Sequence, residues 1–600
     1  MKILAKETRR MIWQNLGNVL LFELLYRGIC LPVYLRLANR VLRWTLGIAG
    51  YSYLTASNFA GFLGCPWTLP ALLVVGMIGI FLIFVESCAL ITAFLGLACQ
   101  KKLTPFGIFW GGLHGAAHEI GKRNGRLVLV LIFHYGFTNL LPAARCLSHT
   151  RPVNFVIQEI AATGWLFWAL AAVLLFGAIK TLPVVFAGFE CIGNQTDYPV
   201  ARLKSCERMA GRKMQVAALL TLCNLVTAFI FVAVYLLAVF VIAVLVVLFA
   251  ERNLAMAILL FVTERIEWGV LFTSSIFLVM VDFGALATMY NYYGNSETGA
   301  KVHDMEVSLK DSTVQKRAVI LAAVIGTSAF LYIFDVIYHG FARTEAIMGK
   351  TQITAHRGSS RMAPENTMAA IRTSLEELAD YVELDVQMTK DQVVVLGHDA
   401  TLKRVAGINR TIASMTWEEL KELDVGSWFS SEFAGERIPS LEDVLDFCKG
   451  KIHLNVEIKN VGPDSLLPEK VVRLIRERGM EEQCVLTSTS LDYLERIKRL
   501  APEVKTGYIL SAAYGDFYFE ERADFISIRA SFVNRQVVEL AHEQGMGVHV
   551  WTVNAKSEIE RMRMIGVDNL ITDYPVLARE ILYREEATET LVEYLQMVFQ

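Results

Sequence analysis

Charge is scarce in this chain of 600 residues: Asp, Glu, Lys and Arg make up 19 % of it, against 54 % hydrophobic residues. That balance is too apolar for an ordinary soluble protein. The formal net charge of −2 hides a basic first half and an acidic second half, and the acidic second half argues against a nucleic-acid partner. The ten cysteines contain no Cys-x-x-Cys pair and no Cys/His ligand spacing, which removes zinc ribbons and thioredoxin-like chemistry. Buried free thiols are the simpler reading. A Gly-rich nucleotide fingerprint and a His-Glu-x-x-His pair are missing too, so neither a nucleotide site nor a zinc protease announces itself.

What is present divides in two. Residues 1–350 hold 29 Lys and Arg against 18 Asp and Glu, while 351–600 hold 28 against 41. Long apolar runs occur only in the basic half. About seven stretches approach the roughly 20 apolar residues that a membrane helix needs: 14–35, 71–98, 126–144, 163–189, 215–249, 268–290 and 318–340. Val216 to Ala250 carries no charge at all. Basic residues gather before the first stretch (Lys2, Lys6, Arg9, Arg10) and after the second, fourth and sixth. By the positive-inside rule those loops are cytoplasmic, and an odd number of crossings puts the second half on the external face of the cell membrane. Arg36, Arg40 and Arg43, after the first stretch, run against that pattern. The first stretch holds Glu23 and Arg27, four apart on one helical face, and Glu86, Asp282 and Asp335 lie within other apolar runs, where acids are costly and are functional candidates. His114 and His118 sit four apart with no third ligand nearby, so a polar loop is the expected reading.

From about residue 352 the pattern changes to short strands alternating with amphipathic helices. Eight strand-like pieces start with 353–356, 381–386, 453–458 and 484–489 and continue with 505–510, 524–528, 547–553 and 569–573. Strict alternation of this kind over some 230 residues predicts a (β/α)8 TIM barrel. The expected organisation is a helical membrane domain over 1–345, a barrel over 346–585 and a helical tail over 586–600. The stretch from Gly397 to Val444 exceeds one strand–helix unit and reads as an insertion over the catalytic face.

Chemistry-bearing residues collect at strand ends. His356 and Arg357 end the first strand. Glu383 and Asp385 lie two apart on the second, so both point to one face. Glu457 and Lys459 repeat that spacing on the third, and Trp551 ends the seventh. Three carboxylates without a thiol or a paired histidine are hard donors for one divalent cation, Ca²⁺ or Mg²⁺. Arg357 offers a bidentate fork for a phosphate and Lys459 a second positive charge. His356 and His398 titrate near neutrality and suit general base and acid.

Taken in order, HRG with PENT, then ELD, GHD, VEIK and VWTVN resemble the glycerophosphodiester phosphodiesterase family over roughly residues 352–585. The resemblance implies a TIM barrel that hydrolyses glycerophosphodiesters to glycerol 3-phosphate and an alcohol with a divalent cation. It implies His356 and His398 as the catalytic pair, and Glu383, Asp385 and Glu457 as metal ligands. Arg357 and Lys459 fall on phosphate-contacting positions, Glu365 and Asn366 on the PENT segment that shapes the site, and Trp551 on an aromatic against the glycerol. It further implies that a neighbouring glycerol hydroxyl attacks first, giving a cyclic phosphate that water opens. SSRM departs from the usual small link between HRG and PENT, and LKRVAGINRTI replaces an Arg-Thr turn, leaving Arg404 as the match. The apolar half resembles the membrane domain joined to some bacterial members.

Two rival readings follow from the membrane tether. One is a diesterase of lysophospholipase D type, or one acting on teichoic-acid-type polymers, with membrane lipids as partners. The other is a non-catalytic module that regulates a membrane transporter, against which the intact set of histidines, carboxylates and arginine argues.

Overall fold

The structure, a computed structural model, describes residues 2–55, 58–98, 101–148, 165–249, 252–294 and 351–583. Two compact units emerge. One is built from the N-terminal helices; the other contains the C-terminal half together with Ser52–Asn58 and Ala243–Phe261.

The N-terminal half is helical, with α1 (Lys2–Ile48), α2 (Phe59–Gly64), α3 (Thr68–Ala98), α4 (Pro105–Gly121), α5 (Gly125–Ser148), α6 (Trp165–Thr181), α7 (Ala187–Asn194), α8 (Tyr198–Met209), α9 (Lys213–Phe249) and α10 (Arg252–Tyr293). Four described helices are long and apolar enough to cross a membrane: Ile3–Ile48, Thr68–Leu97, Lys213–Leu248 and Ile258–Tyr293. A fifth crossing arises if Leu175–Val184 and Ala187–Asn194, bent by 48°, form one span. The expected stretches 14–35, 71–98, 215–249 and 268–290 fall on those four, and 163–189 overlaps the bent pair. The stretch 126–144 lies on α5, of which Gly125–Gly136 is apolar. The stretch 318–340, Asp335 and the tail 586–600 lie outside the described residues. Leu222, Leu225, Phe229 and Leu237 on α9 are exposed, as suits a helix whose solvent is lipid.

The acids flagged within the apolar helices are paired. Arg27 Nε lies 2.8 Å from Glu23 Oε2 and its Nη2 lies 2.6 Å from Glu86 Oε1. Tyr135 adds a hydroxyl to Glu86 at 3.1 Å. Asp282 is paired with His134 and receives Asn224 Nδ2 at 3.2 Å. Such pairing offsets much of the cost of removing these charges from water. His118 on α4 lies 3.2 Å from its neighbour Glu119, and His114 and His118 form no metal cluster among the described residues.

The C-terminal half is the barrel. After β1 (Tyr53–Thr55) come β2 (Gln352–Ala355), β3 (Tyr381–Met388), β4 (Val394–Leu396), β5 (His453–Ile458) and β6 (Cys484–Ser488). They are followed by β7 (Lys505–Leu510), β8 (Ala513–Gly515), β9 (Phe525–Arg529), β10 (Gly547–Trp551) and β11 (Asn569–Thr572). Eight of these run parallel in the order β2-β11-β10-β9-β7-β6-β5-β3, and β2 pairs with β3 to close the ring. All eight expected strands are present. Closure leaves no edge among them; β4 is an addition, antiparallel to β3.

Alternation explains both faces of the strands. On β3, Val382, Leu384 and Val386 are fully buried on one face, while Glu383, Asp385 and Gln387 share the other. On β5, Leu454, Val456 and Ile458 repeat the apolar face and Asn455 and Glu457 the polar one. The barrel interior is therefore polar at these strands. Part of the acidity of this half serves the opposite end of the barrel. Asp380, Asp524 and Asp568 accept backbone N–H groups of Ile353, Thr506 and Val548 at 2.8, 2.6 and 2.6 Å. The insertion after β4 has a small core of its own, with Val395, Leu402, Ile412, Met415, Leu420, Val425 and Ile438.

Candidate active site

Register brings the carboxylates together. Asp385 on β3 lies level with Glu457 on β5, and Glu383 stands two residues earlier on the same face as Asp385. One ligand oxygen from each of the three falls within 4.8 Å of the others, the one such acidic or thiol/imidazole group among the described residues. Ala355 is level with Val382, so the next residue, His356, arrives beside Glu383.

The turn after β2 is held in an unusual backbone shape. Arg357 has φ of 54° and Gly358 of 80°. A Cβ on Gly358 would stand 2.5 Å from Ala370 Cβ, so glycine is required there on two counts. Left-handed backbone at an arginine is uncommon. It is stabilised here by Arg357 N–H donating to Glu383 Oε2 at 2.7 Å and by Arg357 C=O accepting from Asn366 N–H at 2.9 Å. Asn366 in turn donates its amide to Asp385 Oδ2 at 2.8 Å and accepts from Asp385 N–H at 3.0 Å. The PENT segment thus aims a metal-type carboxylate without itself being a ligand.

Around the carboxylates lie the cations. Lys459 Nζ is 2.7 Å from Asp385 Oδ1 and 2.6 Å from Glu457 Oε1. Arg357 Nη1 donates to Glu365 at 3.0 Å, and its Nε lies 3.6 Å from Asp385 Oδ2 without a hydrogen-bond partner. Asp385 Oδ1 likewise has the ammonium close by but no aligned donor. Buried polar atoms left in this condition are uncommon. A site with three carboxylates, an unpaired guanidinium N–H and an ammonium standing among the oxygens fits a divalent cation with a phosphate beside it.

Each histidine is backed by an aspartate. His356 Nδ1 meets Asp573 Oδ1 at 2.7 Å, and His398 Nδ1 meets Asp399 Oδ1 at 2.8 Å. Holding Nδ1 as a donor leaves Nε2 of each ring for chemistry. Asp573 is itself fixed by Asn554 at 2.6 Å and Ser360 at 3.1 Å. Asp399 and Glu365 are linked through Arg404, which donates to both at 2.8 Å. Glu365 therefore joins two arginines and stands outside the carboxylate cluster, and Arg404 acts as a strut from the insertion. Trp551 donates its Nε1 to Ser527 C=O at 3.0 Å, and Arg529 Cζ lies 5.5 Å from its ring centroid.

Electrostatics separates these groups. Burial and the neighbouring Asp385 push Glu383 upward, and burial with Asp385 also raises Glu457. Burial would raise Asp385 too, yet Lys459, His398 and Arg357 hold it below the usual carboxylate range. For His356, burial favours the neutral ring but is outweighed by Asp573 and Glu383, and the shift is upward. His398 shifts downward, by burial first and by the Lys459 and Arg357 charges against Asp385 and Asp399. Two imidazoles displaced in opposite directions suit one acid and one base.

Asp573, Asn554 and Asp399 were not singled out in the sequence. Asp573 carried the same signal as His356, a polar residue at the end of a barrel strand (ITD), and Asp399 stood inside the GHD motif. Asp573→Asn is expected to lower kcat about 10²–10⁴-fold, in the range of a lost proton-transfer partner, with KM little changed. A steady-state pH profile checks this, because loss of the carboxylate also moves the His356 limb to lower pH.

Each half of the chain matches a known family. The profile described as "Glycerophosphoryl diester phosphodiesterase family" matches residues 356–577, and that described as "Membrane domain of glycerophosphoryl diester phosphodiesterase" matches 5–334. A glycerophosphodiester phosphodiesterase of Caldanaerobacter subterraneus is 37 % identical over 233 residues, covering 38 % of this chain and 95 % of the relative. One of Bacillus subtilis is 29 % identical over 250 residues, covering 38 % and 85 %. A crystallised phosphodiesterase of Oleispira antarctica, solved with the product sn-glycerol-3-phosphate, is 29 % identical. It covers 39 % of this chain and 97 % of its own, with a TM-score of 0.37. With the membrane-domain profile spanning more than half of the residues and the barrel matched nearly end to end by a 37 % identical relative, the chain belongs to the glycerophosphoryl diester phosphodiesterase family.

Proposed function

We propose that the barrel hydrolyses glycerophosphodiesters to glycerol 3-phosphate and an alcohol at the membrane surface, with a divalent cation, Ca²⁺ or Mg²⁺, held by Glu383, Asp385 and Glu457. The observation that carries this reading is the pair of aspartate-backed histidines flanking a buried three-carboxylate cluster. When bound, the cation would draw charge from a phosphate oxygen and so favour the transition state. Arg357 takes a second phosphate oxygen through the N–H that has no partner within the protein. Lys459 keeps its charge beside the carboxylates and balances them as the phosphate enters. One imidazole Nε2 accepts the proton of the attacking glycerol hydroxyl while the other donates a proton to the departing alkoxide, and water then opens the cyclic phosphate to glycerol 3-phosphate. Asp573 and Asp399 hold the two rings in the tautomer that this transfer needs. Trp551, at the end of β10, offers its half-buried ring to the glycerol.

The test is cation-dependent release of glycerol 3-phosphate from glycerophosphocholine by the full chain in detergent or nanodiscs. Activity unchanged in excess chelator would remove the cation from the reading, and absence of product with every glycerophosphodiester tried would remove the reaction. A second reading, cleavage of lysophospholipids, is favoured by the long apolar helices and by a 28 % identical human relative named lysophospholipase D. Assaying a lysophospholipid and a glycerol-phosphate polymer beside glycerophosphocholine separates them. The basic loops assign the barrel to the external face of a multi-pass membrane protein. Protease added to intact cells should then release it, and a barrel cut only after lysis would reverse that assignment.

A further inference from the structure

The short connection between the first two apolar helices belongs to the barrel's own unit. Residues Tyr53–Thr55 form β1, which pairs antiparallel with β8 in the register Tyr53↔Gly515, Leu54↔Tyr514 and Thr55↔Ala513. Backbone pairing is reinforced by side chains. Tyr53 donates its hydroxyl to Glu520 Oε2 at 2.8 Å, and its ring lies 6.3 Å from that of Tyr508. Asn58 closes the segment on itself, accepting from Thr55 N–H at 2.8 Å and donating to Tyr53 C=O at 2.9 Å. Leu54 and Tyr514 are buried by the pairing. Gly515 has φ of 108°, and a Cβ there would stand 3.0 Å from Ser52 C=O and Tyr53 Cα. A side chain at 515 would therefore push the segment away.

β8 begins three residues after the end of β7, so it lies in a loop at the C-terminal ends of the barrel strands, where the candidate active site opens. On one side of β1, only four residues lie between the end of α1 and Tyr53, a reach of at most about 18 Å. On the other, nine residues, six of them helical, lie between Asn58 and α3 and reach about 25 Å; α3 exposes Leu69, Leu72 and Leu73 from its first turns. The segment that pairs with the rim strand β8 is thus joined through the chain, on each side, to a helix apolar enough to span. The junction Ala243–Phe261 between α9 and α10 groups with the barrel as well.

The rim itself has an apolar surface. Of nine exposed large hydrophobic residues among residues 351–583, six lie on the catalytic face, Met362, Trp428, Val461, Leu466 and Tyr574 in loops and Val576 at the start of the helix Pro575–Leu582. Two carry an arginine on the ring, Arg404 over Trp428 at 5.4 Å and Arg361 over Tyr574 at 5.4 Å. Aromatic rings beside arginines are the composition that settles at lipid headgroups.

We propose that residues 52–58 are a strap that fastens the catalytic rim to the membrane surface, so that the active site opens onto lipid headgroups through a rim of apolar loops. This is independent of which diester the site cleaves.

Two measurements on the full chain in nanodiscs of mixed phospholipid test it. With Leu54→Cys and Tyr514→Cys together, mild oxidation should yield a disulfide-linked peptide joining the two positions, identified by mass spectrometry. Thr55→Cys with Ala513→Cys provides a second pair at the next register position. No link with either pair in protein that keeps its activity overturns the strap. Separately, a photo-crosslinking amino acid at Met362, Val461 or Val576 should form lipid adducts several-fold more than one at Leu500, on the opposite end of the barrel. Gly515→Val should abolish that difference. Equal adducts at the two ends, or more at Leu500, overturn the membrane-facing rim.

Discussion

Alanine at His356 or at His398 is expected to abolish measurable turnover while leaving the barrel folded. Each loss removes one proton-transfer partner, a change of about 10²–10⁴-fold in kcat. The double substitution should cost scarcely more than either single one, because groups that act as a unit are not additive. Stability should hardly change. Both side chains sit at the barrel mouth and remain partly exposed, 21 % for His356 and 34 % for His398, so neither leaves a cavity in the apolar layer. The aspartates left behind keep other partners, Asn554 and Ser360 for Asp573 and Arg404 for Asp399. The measurement is single-turnover release of glycerol 3-phosphate beside a thermal unfolding trace. A variant that unfolds, or one that retains a tenth or more of its activity, would remove that histidine from the proton-transfer role.

Chelation is expected to stop the reaction reversibly and, less obviously, to expose the cost of the carboxylate cluster. Glu383 and Glu457 are raised from the ordinary glutamate value of 4.5, by burial and by Asp385. An acid raised in the folded state contributes full stability below its unfolded value and loses that contribution as pH climbs through its folded value. Without cation, these two groups therefore weaken the fold from about pH 4.5 upward. Asp385 works in the opposite direction, since its lowered value favours the fold above the ordinary aspartate value of 3.8. Glu383→Gln removes the least compensated charge. In chelator it should raise stability by about 1–4 kcal/mol, the range seen when buried charges are replaced by neutral groups, while eliminating turnover. Added Ca²⁺ or Mg²⁺ should raise the melting temperature of the natural protein more at pH 8 than at pH 5, and that of the variant little at either. A variant less stable than the parent in chelator would contradict the repulsion argument.

The strands and the motif residues were legible because each is a local property. Val382, Leu384 and Val386 alternating with Glu383, Asp385 and Gln387 announce a strand with an apolar and a polar side, and the eight expected strands are the eight of the barrel. Trp551 and Lys459 lie where strand ends were expected to place them. Other features were not legible. Glu365, in the segment expected to shape the site, bonds Arg357 eight positions away and Arg404 39 positions away. Asp573 reaches His356 across 217 positions. The strap at Tyr53–Thr55 looked like a connection between two apolar helices, with no strand signal beyond three residues.

By itself the sequence determined the division into an apolar, basic half and an acidic barrel, the number and order of barrel strands, and the residue types able to bind a cation and move protons. Those follow from composition and from periodicities of two and of about 3.6, which act between near neighbours. Only the tertiary structure decided which aspartate backs which histidine, that Asn366 aims Asp385, and that a segment from the first half pairs with a loop of the catalytic face. The Asp573–His356 and Tyr53–Glu520 pairings join residues 217 and 467 positions apart, which barrel closure and register bring within hydrogen-bond distance and which leave no trace in local pattern.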